Sequence, residues 1–293
     1  MLSINHVRQF YRRKMMKPLI PLKPPEILDT TIQAAIAKAG GSFMKLFTLA
    51  ILAGAFIAFA AEGSNMAAFN LFAKPETYGL GKVLAGAVFG TGLMLVVIAG
   101  GELFTGNTMM LAALCDKKIK FFKMLRNWLI VYVGNFAGAF FIAYMMASSG
   151  LFDSGASMLG AVTLKIAAYK VNLPFLSAFF LGIMCNWLVC LAVWLSNGAD
   201  TMAGKIFGIF FPIWLFITSG FEHSVANMYY VPAGILIKTN EAFVEPSGLS
   251  LASLENLTWL GFLEGNLLPV TLGNIVGGGI FVAVFYWYAY KKA

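Results

Sequence analysis

The sequence predicts an all-α integral membrane protein with six transmembrane helices arranged as two inverted three-span repeats. Of the 293 residues, 59% are hydrophobic and only 12% are charged, and the mean hydropathy is +0.78. A soluble domain carries about 25% charged residues, so this chain lacks the charge to cover a water-facing surface. The composition therefore excludes a disordered chain, a coiled coil and a soluble enzyme.

Six apolar segments are long enough to cross a bilayer, which requires about 20 residues. They cover roughly residues 45–62, 80–115, 124–148, 175–197, 201–237 and 264–290. The second and fifth segments are too long for one span and have polar residues in the middle, so we expect helices two and five to be broken. We divide the chain into an N-terminal segment, 1–44, and a single six-span membrane domain, 45–293.

The N-terminal segment contains one candidate helix, from Glu26 to Gly41, with apolar residues on one face. We expect it to lie on the inner membrane surface, with a gating lid as the alternative. A Pro-rich stretch separates the basic start of the chain from the first apolar run, so we expect no cleaved signal peptide. The Arg12-Arg13 pair does not make a twin-arginine signal.

The basic residues orient the predicted bundle. When the loops are assigned alternately to the two sides, 16 Lys and Arg residues fall on one side and 5 on the other. The positive-inside rule places the richer side, with both termini, in the cytoplasm of a cell bounded by this membrane. The net charge of +8 thus records orientation, and we expect no nucleic-acid partner.

The three cysteines are too few for a disulfide framework. Cys185 and Cys190 lie inside an apolar run and are expected to pack there. We predict no metal and no cofactor. Within the spans, the charged residues we identify are Glu102 and Glu222.

Two pairs of motifs reveal the repeat. The pattern Asn-Leu-Val-Gly-Asn-Gly recurs in register in 127–138 and 266–277, which belong to spans three and six. The pattern Gly-x-Glu-x4-Asn occurs in 100–107 and in 220–227, within spans two and five. Because each half contains an odd number of spans, the second half must be inverted. The Gly134–Gly138 spacing, repeated later in the chain, leads us to expect that spans three and six cross closely.

Inverted repeats with two interrupted helices are typical of transporters. We expect half-helix N-termini at Asn107 and Asn227, whose positive dipole ends favour an anion. We expect Glu102 and Glu222 to support the broken segments by accepting hydrogen bonds from freed backbone N–H groups. The repeat fails at His223, since the matching residue is Leu103, so the titratable group occurs in one half only.

These motifs resemble the formate/nitrite transporter family over nearly the whole chain, from about Glu26 to Tyr290. The resemblance is carried by four stretches: 101–107 (GELFTGN), 126–128 (RNW), 186–193 (NWLVCLAV) and 220–228 (GFEHSVANM). It implies a homopentamer with a pore in each protomer and an aquaporin-like six-span fold. It also implies a mobile loop at 100–106.

The resemblance also implies roles for individual residues. Thr105 and His223 would meet at the pore centre, with Asn186 and Asn227 as pore-lining polar groups, and Lys170 would attract anions in a vestibule. The implied apolar constrictions are Leu103, Phe104 and Val189 on the cytoplasmic side, and Phe89, Leu93 and Phe216 on the periplasmic side.

Our interpretation is passive or proton-linked transport of a small monovalent anion (formate, nitrite or hydrosulfide), with a central His that neutralises or polarises the permeant. The expected partners are this anion, protons, the lipid bilayer and further copies of the chain. The near alternative is a proton–lactate-type symporter. An intramembrane enzyme using Glu102, Glu222 and His223 is the alternative from another class, and we do not favour it because metal sites usually need three or four ligands.

Overall fold

The computed structural model describes residues 21–293, and the regular structure in this range is helical. Six of its helices are long and apolar enough to cross a membrane, which confirms the predicted all-α fold with six spans. The Arg12-Arg13 pair and the first part of the predicted N-terminal segment lie outside the described residues.

Residues 21–293 form twelve helices of five residues or more, which we number in order. The helices that precede the two halves are α1 (Pro24–Ala39) and α6 (Met158–Val171). The full-length spans are α2 (Phe43–Phe72), α5 (Phe121–Ser148), α7 (Phe175–Gly198) and α12 (Gly261–Lys292). The broken spans are α3 (Pro75–Gly100) with α4 (Phe104–Cys115), and α8 (Met202–Ser219) with α9 (Ser224–Ile237). Two short helices, α10 (Glu241–Ser247) and α11 (Leu251–Glu255), precede α12.

Both predicted helix breaks are present. The first falls at 101–103, between α3 and α4, and the second at 220–223, between α8 and α9. Gly100 and Gly220 stand at these points with φ of 101° and 79°, a left-handed conformation that costs glycine little because it has no Cβ. Each broken span therefore changes direction at a glycine and resumes as a half-helix.

Matching hydrogen bonds show that the two halves share one architecture. At the first break the Glu102 N–H donates to the carbonyl of Leu49 over 3.1 Å, and at the second the Glu222 N–H donates to that of Leu181 over 3.3 Å. This register pairs α2 with α7, and therefore α1 with α6. The sequence assigned α6 to a loop, so each repeat unit is one helix longer than predicted.

The first described residues, the C-terminus and the α4–α5 link share one side of the bundle. Lys291 near the C-terminus forms an ion pair with Asp29 of α1, with N and O 2.7 Å apart, and approaches Asp116 of the α4–α5 link at 3.9 Å. The Leu22 N–H donates to the carbonyl of Gly198 at the end of α7. We call this side the α1 side, and the opposite one the α6 side.

The first span is longer than predicted. We placed its end near residue 62, but α2 continues to Phe72. Glu62 therefore lies ten residues inside the helix end and is buried. We expected Glu102 and Glu222 to be the charged residues within the spans, and this expectation was wrong because it left out Glu62.

The paired glycines mark close helix contacts, but with partners other than the predicted ones. Gly138 of α5 packs on the backbone of Ile51 in α2, and Gly277 of α12 packs on that of Ile183 in α7. Spans three and six thus cross spans one and four, while they meet each other through the hydroxyls of Tyr132 and Thr271. The close crossing is made within each half because the Asn side chains of α5 and α12 must reach the carbonyls of α2 and α7.

Replacing Gly138 by alanine should destabilise the fold. The added Cβ would meet the carbonyl oxygen of Ile51, and forced repacking of this kind costs about 1–3 kcal/mol. Gly79→Ala is the matched control, because a Cβ there meets nothing within 4 Å. Thermal unfolding of the purified proteins should show a lower midpoint for Gly138→Ala only. An unchanged midpoint would show that this helix crossing is not tight.

Candidate functional site

Thr105 and His223 meet at the centre of the molecule. Thr105 lies on α4 and His223 immediately precedes α9, so each comes from one of the two helix breaks. The Thr105 Oγ1 and the His223 Nε2 are 3.0 Å apart, and both residues are buried. The pairing expected at the pore centre therefore exists in the structure.

The hydrogen bonds around His223 fix its tautomer. Its Nδ1 accepts a hydrogen bond from the Ala226 N–H over 3.0 Å, which makes His223 the N-cap of α9. The neutral ring then carries its proton on Nε2 and donates it to the Thr105 Oγ1. This bond occupies the Thr105 oxygen as an acceptor and leaves its hydroxyl hydrogen for another acceptor. No pattern in the sequence indicates this capping bond.

The half-helix N-termini lie earlier than we expected. The helices begin at Phe104 and Ser224, not at Asn107 and Asn227. The Phe104 N–H donates to the Oδ1 of Asn135, and the Ser224 N–H donates to the Oδ1 of Asn274, each over 2.9 Å. These two Asn residues are the recurring ones of spans three and six, so the repeated motif satisfies the freed backbone.

The two break carboxylates have partners other than the predicted backbone N–H groups. On the α1 side, the Glu102 Oε2 accepts from the Asn107 amide at 2.7 Å and from the Lys38 ammonium at 3.1 Å. The Asn107 Oδ1 also accepts from Lys38, at 2.6 Å, and its amide also donates to Asn127. The prediction was wrong because Asn135 and Asn274 already occupy the freed N–H groups.

The matching cluster on the α6 side contains Lys170, Glu222, Asn227 and Asn266. The Lys170 ammonium and the Glu222 carboxylate form a buried ion pair with N and O 2.7 Å apart. The other carboxylate oxygen accepts from the amides of Asn227, at 2.7 Å, and Asn266, at 3.3 Å. In the described part of the chain, the Asn227 Oδ1 is buried without a hydrogen-bond partner. Asn227 is among the residues that line the cavity on that side.

Two lysines therefore occupy equivalent positions, and we identified one of them. Lys170 is on helix α6 and buried, not in a loop as expected. Lys38, on α1, was missed. The signal was present in the sequence, since each lysine stands five residues before the Phe that begins the next span, Phe43 or Phe175.

A cavity lies on each side of the Thr105–His223 pair. The α6-side cavity has a volume of about 640 Å³, and His223, Asn227 and Phe216 are among its lining residues. The α1-side cavity has a volume of about 300 Å³, and Lys38 and Glu102 are among its lining residues. The charged residues on the wall of the α6-side cavity are Lys82, Lys165, Lys170 and Glu222. Since the cations exceed the carboxylate there, this cavity favours anions.

Two of the expected constriction residues lie next to His223. The Phe216 ring centroid is 6.1 Å from that of His223, and the Phe216 ring contacts the Phe89 ring edge to face at 5.6 Å. Leu103 and Val189 are equally buried. Leu93, expected on the periplasmic side, lines the α1-side cavity instead. Phe104 lies against Trp128 and Tyr132 and lines neither cavity, so its position is that of a packing residue.

The contacts of Asn186 differ from those of the pore-lining residue that we expected. Its amide nitrogen donates to the Thr105 carbonyl and to the Thr108 hydroxyl, each over 3.1 Å, and to the Asn274 carbonyl over 2.7 Å. Asn186 therefore ties α4 to α12, and its donors are occupied. Within residues 21–293 we find no group of three or more His, Cys, Asp and Glu residues that could hold a metal ion.

Comparison with known proteins identifies relatives of this chain. Residues 25–288 match the family model described as formate/nitrite transporter. The chain is 44% identical over 262 residues to a probable formate transporter of Methanothermobacter thermautotrophicus, covering 85% of this chain and 89% of that protein. It is 36% identical over 281 residues to the formate channel FocA of Escherichia coli strain K12, covering 95% and 98%.

A solved structure is also similar. It is a pentameric formate channel with formate bound, which superposes with a TM-score of 0.75 at 40% identity and covers 85% of this chain and 98% of that chain. These relatives are transporters and channels, not enzymes.

Lys170→Met should destabilise the protein, because it leaves the Glu222 carboxylate buried and unpaired. Breaking a buried ion pair costs about 3–5 kcal/mol. The double variant Lys170→Met/Glu222→Gln should recover much of this loss, since the neutral amide needs no counter-charge. Thermal unfolding of wild type, single and double variants measures the difference. Equal midpoints for the single variant and wild type would contradict the buried pair.

Proposed function

The chain belongs to the formate/nitrite transporter family, and on this basis we propose that it conducts formate, or a similarly small weak-acid anion such as nitrite or hydrosulfide, across the cytoplasmic membrane. The observation that carries the proposal is the Thr105–His223 contact between two polar cavities. The names of the relatives support formate as the first substrate to test. Their activities also lead us to set aside the intramembrane enzyme.

The apolar constriction determines the form in which the anion crosses. Transferring a bare carboxylate-sized ion into a low-dielectric medium costs of order 20 kcal/mol in the Born limit. Protonating an acid with a pKa of about 4 at pH 7 costs roughly 4 kcal/mol. Neutralisation is the smaller cost by a wide margin. We therefore infer that the permeant passes Phe89 and Phe216 as the neutral acid.

Residues of the α6-side cavity attract and bind the permeant before this passage. The excess of lysines on its wall draws the anion in. The unpartnered Asn227 Oδ1 is an acceptor for the O–H of the protonated acid. Thr105, whose oxygen accepts from His223, then donates its hydroxyl hydrogen to an oxygen atom of the permeant as it crosses, which reduces the cost of leaving water. At the α1-side cavity the acid meets water and loses its proton.

We propose that the α1 side faces the cytoplasm and that the chain assembles as a homopentamer, like the pentameric formate channel to which it is similar. The α1 side carries the basic link with Lys117, Lys118, Lys120, Lys123 and Arg126, which the positive-inside rule assigns to the cytoplasm. Large apolar side chains such as Leu80, Phe211 and Leu215 are exposed on the outside of the bundle. They supply the faces that a homopentamer and the surrounding lipid would cover.

Purified protein in lipid vesicles should admit formate, and faster at lower external pH. Above the pKa, the neutral fraction of a weak acid rises about tenfold for each unit of pH decrease, and the initial rate should follow it. A stopped-flow panel with formate, nitrite, hydrosulfide and lactate ranks the permeants. Fast lactate uptake would favour the symporter alternative. Vesicles that admit none of these anions between about pH 4 and 8 would overturn the proposal.

His223→Asn should alter this flux while the protein still assembles. The Asn side chain keeps a donor and an acceptor of similar reach but loses the imidazole. We expect formate flux to fall about 10²-fold, or to become independent of pH, because the imidazole that polarises the Thr105 hydroxyl is lost and removal of one preorganised donor costs at least this factor. Thr105→Ser retains the hydroxyl and serves as the control. A wild-type rate and pH profile in His223→Asn would contradict the central role of the imidazole.

A further inference from the structure

Glu62 is a buried carboxyl group that the transport path described above does not use. Its side chain is on α2, well inside the span, and the residue is 7% exposed. Its Oε2 accepts a hydrogen bond from the Tyr229 hydroxyl of α9. Within the described chain its Oε1 has no hydrogen-bond partner, and no Lys or Arg forms an ion pair with it. A buried carboxyl oxygen left alone is costly, so Glu62 requires a further partner.

Asn65 is a second unpartnered group, one helical turn further along α2. Residues three apart share one face of a helix. Asn65 is 2% exposed, and its Nδ2 has no hydrogen-bond partner among residues 21–293. It also lines the α6-side cavity. An unpartnered acceptor and an unpartnered donor on one face, beside a cavity of about 640 Å³ with charged side chains on its wall, are the conditions under which an ordered water is held.

The inverted repeat shows that the fold does not need a carboxyl group at this position. In the register fixed by Leu49 and Leu181, Ser64-Asn65 recurs as Ser196-Asn197, and Asn197 lines the α1-side cavity. Glu62, however, is replaced by Trp194. That indole is buried against Tyr286, with ring centroids 4.3 Å apart. The carboxyl group therefore occurs only in the first half, as His223 occurs only in the second.

The groups around Glu62 are polar but offer it no counter-charge in contact. From α9 it faces the hydroxyl of Tyr229, whose ring packs on that of Tyr230 at 5.7 Å. From α6, the Lys170 ammonium lies 5.2 Å from the centre of the Tyr230 ring and is paired with Glu222. The remaining charged groups on the wall of the α6-side cavity are Lys82 and Lys165. From α3, the Ala85 carbonyl accepts a hydrogen bond from the hydroxyl of Ser64, two residues after Glu62 on α2.

We propose that Glu62 is a second proton-binding group of the transport path, linked to the α6-side cavity by a water molecule that Asn65 holds. The Glu62 carboxylate takes a proton from this water, which is reprotonated from the external solution. The Glu62 O–H bond later breaks, and the proton passes through the same water to the carboxylate of an anion in the cavity. Glu62 is thereby returned to its ionised form. This inference rests on the proposed function and names the source of the proton.

The variants are chosen to separate proton exchange from structural support. Glu62→Gln keeps an acceptor oxygen for the Tyr229 hydroxyl but cannot bind a proton. Tyr229→Phe removes the hydrogen bond and keeps the carboxyl group. Glu245→Gln, on α10 of the same side, removes an exposed carboxylate and is the matched control.

Formate uptake into vesicles is measured for all four proteins with external pH between about 5 and 8. In Glu62→Gln we expect the initial rate to fall about tenfold, less than for a group acting directly on the permeant, and its rise at low pH to flatten. Glu245→Gln should match wild type. A wild-type rate and pH profile in Glu62→Gln, or a loss confined to Tyr229→Phe, would overturn the inference.

Two further readouts keep this test decisive. If wild type itself carries no formate, the proposed function fails; if wild type carries it and Glu62→Gln is unaffected, only the role of Glu62 fails. Infrared difference spectra between acidic and neutral pH should show a carboxylic C=O band in wild type that Glu62→Gln lacks. Tyr229→Phe should shift that band because it removes a hydrogen bond to the carboxyl group. This shift assigns the band to Glu62 even if the Glu62→Gln variant does not fold. The absence of any titrating band in wild type would overturn the inference.

Discussion

The structure depends on keeping interrupted backbone satisfied at membrane depth. A bilayer offers no water to freed N–H and C=O groups, so a broken span persists only where protein groups bind them. Asn135 and Asn274 meet this requirement. Each accepts from the first N–H of a half-helix and donates its amide to two carbonyls, one of them that of Glu102 or Glu222. The breaks bring Thr105 and His223 together.

The two halves share the scaffold of their breaks but differ in their titratable residues. Both use a lysine, a glutamate and two asparagines at matching positions, so the scaffold is repeated. The chemistry is not repeated. His223 stands where the first half has Leu103, and Glu62 stands where the second half has Trp194. A symmetrical frame thus surrounds an asymmetrical path, with its titratable groups towards the α6 side.

The sequence predicted what depends on local pattern, and the rest depends on tertiary contacts. Apolar length gave the six spans, and glycine with polar residues gave both breaks. Helix α6 was missed because its residues lack the length of a span, although Lys38 and Lys170 hold the same register before Phe43 and Phe175. The roles of Glu102 and Asn186 could not be predicted, since their partners lie far away in the chain. The capping of α9 by His223 has no sequence signature.

The central claim is that the apolar constriction admits the permeant only as a neutral acid. Current and proton uptake should therefore be recorded together while a formate gradient is applied across a membrane containing the purified protein. The account predicts one proton taken up with each formate and no net current at any imposed voltage. A voltage-driven formate current without matching proton uptake would contradict it, because a bare anion would then be crossing the contact between Phe89 and Phe216.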